Sequence, residues 1–273
     1  MEYKVNKIYV DDFGRKSGVI AVDKPVGKTS HDIVYAVRKA LNMQKVGHAG
    51  ALDPAASGLL IILAGKATKQ SDEYLTMGKE YLASILFGIS TDSADREGEI
   101  LHTQVAGVPS DLSAVIQQFS PEYKQYVPIF SSVKVDGEKL RVRARQADSF
   151  EVVERAGKRY ALFHKGEKTK EIELPLHVCK LPMIEIENTA EIDIASSDFF
   201  KKNEDKLSTS KFPGALIRVA CSKGTYIRTL AEDIGQALTP PVPAMLWNLR
   251  RTKVGEITIE QAISPDDLQN LAY

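Results

Sequence analysis

At 273 residues, with 43% apolar and 26% charged side chains, the chain can bury a sizeable core and has the balance of an ordinary folded protein, which excludes disordered and fibrous classes. Its 36 Lys and Arg are matched by 36 Asp and Glu, so any grip on a phosphate backbone must come from a local cluster, such as Lys134, Lys139, Arg141, Arg143 and Arg145, rather than from a basic total. Cys179 and Cys221 stand outside metal or redox spacing and are expected as reduced thiols; His31, His48, His102, His164 and His177 show no ligand pattern, so no metal is expected.

The N-terminal residues scatter charge where a signal peptide needs an apolar stretch, and no later run is long enough to span a bilayer, so a cytoplasmic protein is expected. Residues 18–22 form an apolar strand ending at the turn Asp23-Lys24-Pro25. Thr29 followed by Asp32 resembles a capping box, and Ile33, Val34, Val37 and Leu41 then recur on one face of a helix. Gly47, Gly50, Pro54 and Gly58 predict a shaped loop that lasts until the buried strand 59–63. A strand over 79–87, a helix through Leu112, Val115, Ile116 and Phe119, and an extended stretch over 128–135 follow. Gly137 opens a basic helical segment to Gln146. Residues 147–212 are heavily charged and predict loops or hairpins around a strand at 183–194. Beyond Pro213 come a strand at 216–220 and a helix starting near Tyr226. Strands and helices mix without a βαβ rhythm, which favours an α+β class with a mixed, mostly antiparallel sheet flanked by helices.

The most informative segment is Gly47-His48-Ala49-Gly50-Ala51-Leu52-Asp53-Pro54-Ala55-Ala56-Ser57-Gly58-Leu59-Leu60. An Asp-Pro pair between glycines would by itself be only a turn. The full stretch resembles the G-H-x-G-x-L-D-P-x-A-x-G-x-L motif of the TruB family, synthases that make pseudouridine at position 55 in the T loop of transfer RNA. The resemblance continues through Asp23-Lys24-Pro25, Gly65-Lys66-Ala67-Thr68-Lys69, Lys79-Glu80-Tyr81, the block from Cys221 through Tyr226 to Arg228, and Leu249-Arg250-Arg251, in the family's order. It implies a pseudouridine synthase fold with a thumb-like RNA-binding insertion.

What the resemblance implies for single residues is specific. Moving uracil from a nitrogen link to a carbon link needs no cofactor, but it needs a carboxylate at an electron-poor carbon, and the motif assigns that role to Asp53. Arg228 matches the arginine that keeps this carboxylate ionised. Tyr81 matches a tyrosine that packs on the target base and transfers a proton. Tyr226 and Leu249 match positions that hold the uracil, and His48 matches a histidine that fills the gap left when the base is turned out. Lys24, Lys69, Lys134 and Arg145 are further candidates for contact with the RNA.

The match departs from the family in four places. Val127 and Ser132 stand where the family's Q-V-P-P-x-[YF]-S-A-x-K strand has proline and alanine, and Arg141 stands where the thumb has tyrosine. Residues 147–212 are longer than the usual connection, and Leu238-Thr239-Pro240-Pro241-Val242-Pro243 replaces a GAH-like turn. Most members carry a C-terminal PUA domain. Here a single catalytic domain over 1–273 is expected instead, with a thumb-like segment at about 123–147, a charged insertion at about 147–212 and no PUA domain. The expected enzyme is a monomer that binds the T stem-loop of transfer RNA. The alternatives are an RNA-folding chaperone and a synthase for another structured RNA; a guide-RNA-directed subunit is disfavoured because those proteins keep the PUA domain.

Overall fold

The computed structural model describes residues 4–104 and 107–271. The strands Lys16–Lys24 and Ser57–Ala64 run antiparallel, from Gly18 opposite Ala64 to Lys24 opposite Gly58. Both are apolar along almost their whole length because both of their faces are covered. On one face Ile33, Val34, Val37 and Leu41 of helix Ser30–Leu41 pack over Ile20, Val22, Leu60 and Ile62. On the other, Leu59, Ile61 and Leu63 meet Tyr74 and Val254. The expected capping box is present: the Thr29 side chain accepts from the Asp32 amide while the Asp32 carboxylate accepts from the Thr29 amide. Asn42 ends the helix in a left-handed turn at φ 48°.

The second half of the sheet carries helix Ile227–Ala237, whose Ile227, Leu230 and Ile234 pack with Ala83, Ile85, Ile217 and Val219. In order across the sheet the strands are Lys7–Val10, Lys16–Lys24, Ser57–Ala64, Ala244–Val254, Lys79–Phe87, Lys211–Cys221 and Met183–Asp193. Along that order the pairings are antiparallel save one, where Arg250 and Arg251 run parallel to Ser57 and Gly58. That short parallel seam joins the two halves. The α+β class with a mixed, mostly antiparallel sheet is the observed architecture.

Two stretches differ from expectation. Gly47 and His48 lie in a short strand, Val46–Ala49, rather than in the loop, because the edge of Ser57–Ala64 offers them partners. Residues 128–135 are largely irregular, with only Lys134–Val135 paired, to Glu138–Lys139. The charged stretch forms hairpins around a strand, as expected. Ser149–Arg155, Lys158–Lys165 and Lys168–Glu173 form a three-stranded antiparallel sheet, Leu176–Lys180 pairs with Glu122–Tyr126, and Met183–Asp193 joins the main sheet.

The small sheet has an apolar inner face. Ala161, Phe163 and Ile172 pack with Leu174, with Leu140 and Ala144 of helix Leu140–Gln146, and with Val127 and Ile129. Its charges are used against one another across strands: Arg155 with Glu171 at 2.9 Å, Lys158 with Glu173 at 2.9 Å, Arg159 with Glu154 at 3.5 Å. The thumb-like helix therefore has a core of its own, built from the inserted strands.

Candidate active site

Asp53 lies in the loop between Val46–Ala49 and Ser57–Ala64. Gly50 at φ +90° and Gly58 at φ +104° allow the sharp turns that bound it. The loop is anchored on the start of helix Ser30–Leu41: the Leu52 amide donates to Ser30 Oγ at 2.9 Å, and that hydroxyl donates to the Leu52 carbonyl at 3.1 Å. The Gly27 amide donates to the Pro54 carbonyl at 2.8 Å. With Leu52 buried, the neighbouring Asp53 side chain is turned outward and is 54% exposed.

Arg228, in the first turn of helix Ile227–Ala237, reaches toward this carboxylate from the other half of the molecule, with Nε 3.4 Å from Asp53 Oδ2. Its Nη1 lies 3.2 Å from Asp95 Oδ2 and donates to the Ser93 carbonyl, and its Nη2 donates to the Phe130 carbonyl at 3.2 Å. Asp95 is only 7% exposed, and its Oδ1 also accepts from Ser93 Oγ at 2.6 Å and from the Glu97 amide at 3.0 Å. A guanidinium held by the buried Asp95 carboxylate and by the Ser93 and Phe130 carbonyls presents its remaining edge to an open carboxylate.

A cleft of about 690 Å³ opens over this pair. His48, Asp53, Arg145 and Arg228 line it, as do Arg141 and Phe130. Burial, helped by the charges of Arg251 and His31, holds the His48 imidazole below its ordinary value, so the ring is a flat neutral surface at pH 7. Leu249 borders a void of about 20 Å³ shared with Asp53 and Arg228. That is room for about one water, so a base could enter only if the walls move apart.

Tyr81 packs with Leu249 on the core cluster beneath, in the strand Lys79–Phe87, and burial pushes its phenol above the ordinary value. Tyr226 sits at the start of helix Ile227–Ala237 against the thumb cluster. Its amide donates to Gln125 Oε1 at 2.7 Å, while Gln125 Nε2 donates to its carbonyl at 3.3 Å.

Tyr81, Tyr226 and Leu249 do not border the cleft themselves, and the three lysine candidates lie off it too. Lys24 is a correction to the sequence reading: it is 0% exposed and its ammonium is spent on the carbonyls of Pro25 and Lys28, at 3.0 and 2.6 Å. It shapes the turn before the helix and has no surface to offer RNA; burial also lowers its pKa to about 8. Lys69, on Gly65–Gln70, and Lys134 are exposed but do not border the cleft. Sequence reasoning missed Asp95. The only signal was a polar turn, Thr91-Asp92-Ser93-Ala94-Asp95, bridging two apolar stretches, and nothing in it tells which acid turns inward.

Comparison with known proteins identifies the family. The sequence model described as TruB family pseudouridylate synthase, N-terminal domain, matches residues 38–180. The tRNA pseudouridine synthase B of Staphylococcus saprophyticus is 37% identical over 260 residues, covering 93% of this chain and 72% of the relative. That of Alkaliphilus oremlandii is 36% identical over 256 residues, covering 93% and 71%. Among solved structures, the crystal structure of a Cbf5-Nop10-Gar1 complex superposes with a TM-score of 0.59 at 28% identity, over 92% of this chain. The structure of an H/ACA RNP bound to a substrate RNA containing 2'-deoxyuridine gives 0.55 at 26%, also over 92%. This chain spans about half the length of those two solved chains, 53% and 52%. With its motif, its sheet and its relatives in agreement, the chain belongs to the TruB family of pseudouridylate synthases.

Proposed function

We propose that the cleft converts uridine to pseudouridine in the T loop of transfer RNA, at position 55, with Asp53 as the reacting carboxylate. The N1–C1′ bond of the nucleotide breaks and a C5–C1′ bond forms. The proton on C5 leaves and N1 gains one, so the change involves neither net oxidation nor hydrolysis. One observation carries the reading: of the two carboxylates on Arg228, Asp95 is walled in and Asp53 faces the cleft.

Around it the other residues take roles suited to their places. Arg228 pairs with the Asp53 carboxylate and fixes its direction. The neutral His48 ring supplies a stacking surface for the space vacated by a turned-out base. Tyr81 supplies a phenol from below, and Arg141 and Arg145 face the phosphates from the thumb.

Asp53→Asn removes the nucleophile while keeping the shape. Release of tritium from RNA labelled at uracil C5 should fall by at least ~1000-fold, with the RNA Kd kept within about threefold. Turnover within about tenfold of wild type would remove Asp53 from the centre of the reaction. Loss of turnover without loss of RNA remodelling would leave the chaperone activity as a separate property of the same surface.

A further inference from the structure

Arg251 is the largest of the fully buried side chains, 1% exposed, at the seam between the two halves of the sheet. Among the described residues no carboxylate lies within ion-pair distance of it, whereas its neighbour Arg250 is engaged by Asp23 through both terminal nitrogens. Burying an unpaired guanidinium is costly, so its bonds must be made elsewhere. Nε donates to the Leu59 carbonyl at 2.7 Å and Nη2 to the Gly50 carbonyl at 2.9 Å. Directly across the strands it faces Tyr81.

These contacts converge on the loop that carries Asp53. Gly50, at its start, lies so close that an added Cβ would be 3.6 Å from Arg251 Nη1. Gly58, at its end, docks on the Arg251 backbone, where a Cβ would come 2.3 Å from the carbonyl oxygen. Both ends of the loop therefore rest on one residue, and that residue is the cross-strand neighbour of Tyr81. We propose that Arg251 is the positioning residue that sets the Asp53 loop and the Tyr81 hydroxyl in a single frame, an inference that rests on the reading of the cleft given above.

A guanidinium suits this task and an ammonium does not. Its planar fork delivers donors in fixed directions, so one side chain can bind two carbonyls at once. Its charge reaches further than its contacts, holding down the pKa values of His48, Lys24 and Lys79 around it.

Arg251→Lys tests this in the full chain. With Cζ-labelled tyrosine, the Tyr81 resonance, identified by its loss in Tyr81→Phe, should move at pH 7 while Tyr126 and Tyr160 on the thumb side stay in place. Single-turnover rate should fall by ~100-fold, with the RNA Kd within about threefold. In a Tyr81→Phe background the same change should cost under about tenfold, because part of its effect is already gone. An unmoved Tyr81 resonance, or losses that simply multiply, would overturn the proposal. If instead Asp53→Asn still turns over, the underlying reading of the cleft fails and the framing role does not. Should Arg251→Lys not fold, Tyr81→Phe gives the reciprocal test with 15N-arginine. The Arg251 Nη signal should shift while its Nε signal, bonded to Leu59, stays. An Nη signal unaffected by loss of the hydroxyl would overturn the proposal equally.

Discussion

Two aspartates share one guanidinium, and their surroundings separate their duties. Asp95 takes bonds from a hydroxyl and an amide as well as from Arg228 and is only 7% exposed, which closes it to a substrate. Asp53 keeps its free lone pairs in the cleft. His48 shows the same dependence on setting, and here the sign can be worked out. Its folded value lies below the ordinary 6.5, so the unfolded chain takes up a proton at a higher pH than the folded one. Stability from this residue is fully present above about pH 6.5 and is lost as the pH falls from there through the folded value. The Tm of wild type should therefore drop more steeply than that of His48→Gln between about pH 6.5 and 5. Parallel curves from differential scanning calorimetry would show that the ring is solvated in the fold. Asp53 was legible in the sequence because the glycines and leucine around it impose one backbone path. Asp95 and Arg251 were not, since a charged letter in a polar turn or an alternating strand gives no sign that its side chain is buried.

The three-stranded insertion changes what kind of element the thumb is. Helix Leu140–Gln146 is under two turns long, too short to persist alone, and its apolar face is covered by Phe163, Ala161 and Ile172. Its outer face then holds Arg141 and Arg145, one turn apart, toward the cleft. Phe163→Ala should loosen that helix without touching the reacting groups. The expected result is a KM for RNA raised about tenfold, or 1.4 kcal/mol, a kcat within about threefold of wild type, and faster amide exchange over 140–146. Unchanged exchange in those amides would show that the helix stands without the insertion. In the sequence this region read as loops or hairpins, and which of the two it was could not be told, because alternating ionic residues mask the inward Ala161, Phe163 and Ile172. The strand Val46–Ala49 was hidden for another reason: glycine marks turns in isolation, whereas here an available sheet edge outweighed local preference.

For the molecule as a whole, net charge is zero, yet the cleft presents unspent cations. The insertion's Lys158 is held by Glu173 and its Arg155 by Glu171, while Arg141 and Arg145 border the cleft. Salt sensitivity of RNA binding should follow these few groups rather than composition. Replacing Arg141 and Arg145 together by alanine should lower the slope of log K against log salt by about 1.4 to 1.8, from 0.7 to 0.9 per phosphate. Lys158→Ala should leave the slope unchanged, and an equal drop from that variant would place the RNA on the insertion instead. The seam described above bears on synthesis as well as on binding. The Gly50 carbonyl meets Arg251 across 201 positions of chain, and Leu59 meets it across 192. During translation the Asp53 loop thus waits, without its support, until the roughly 200 residues that separate it from Arg251 have been made. A chain stalled before Arg251 carries the Asp53 loop but lacks the side chain that holds its two ends.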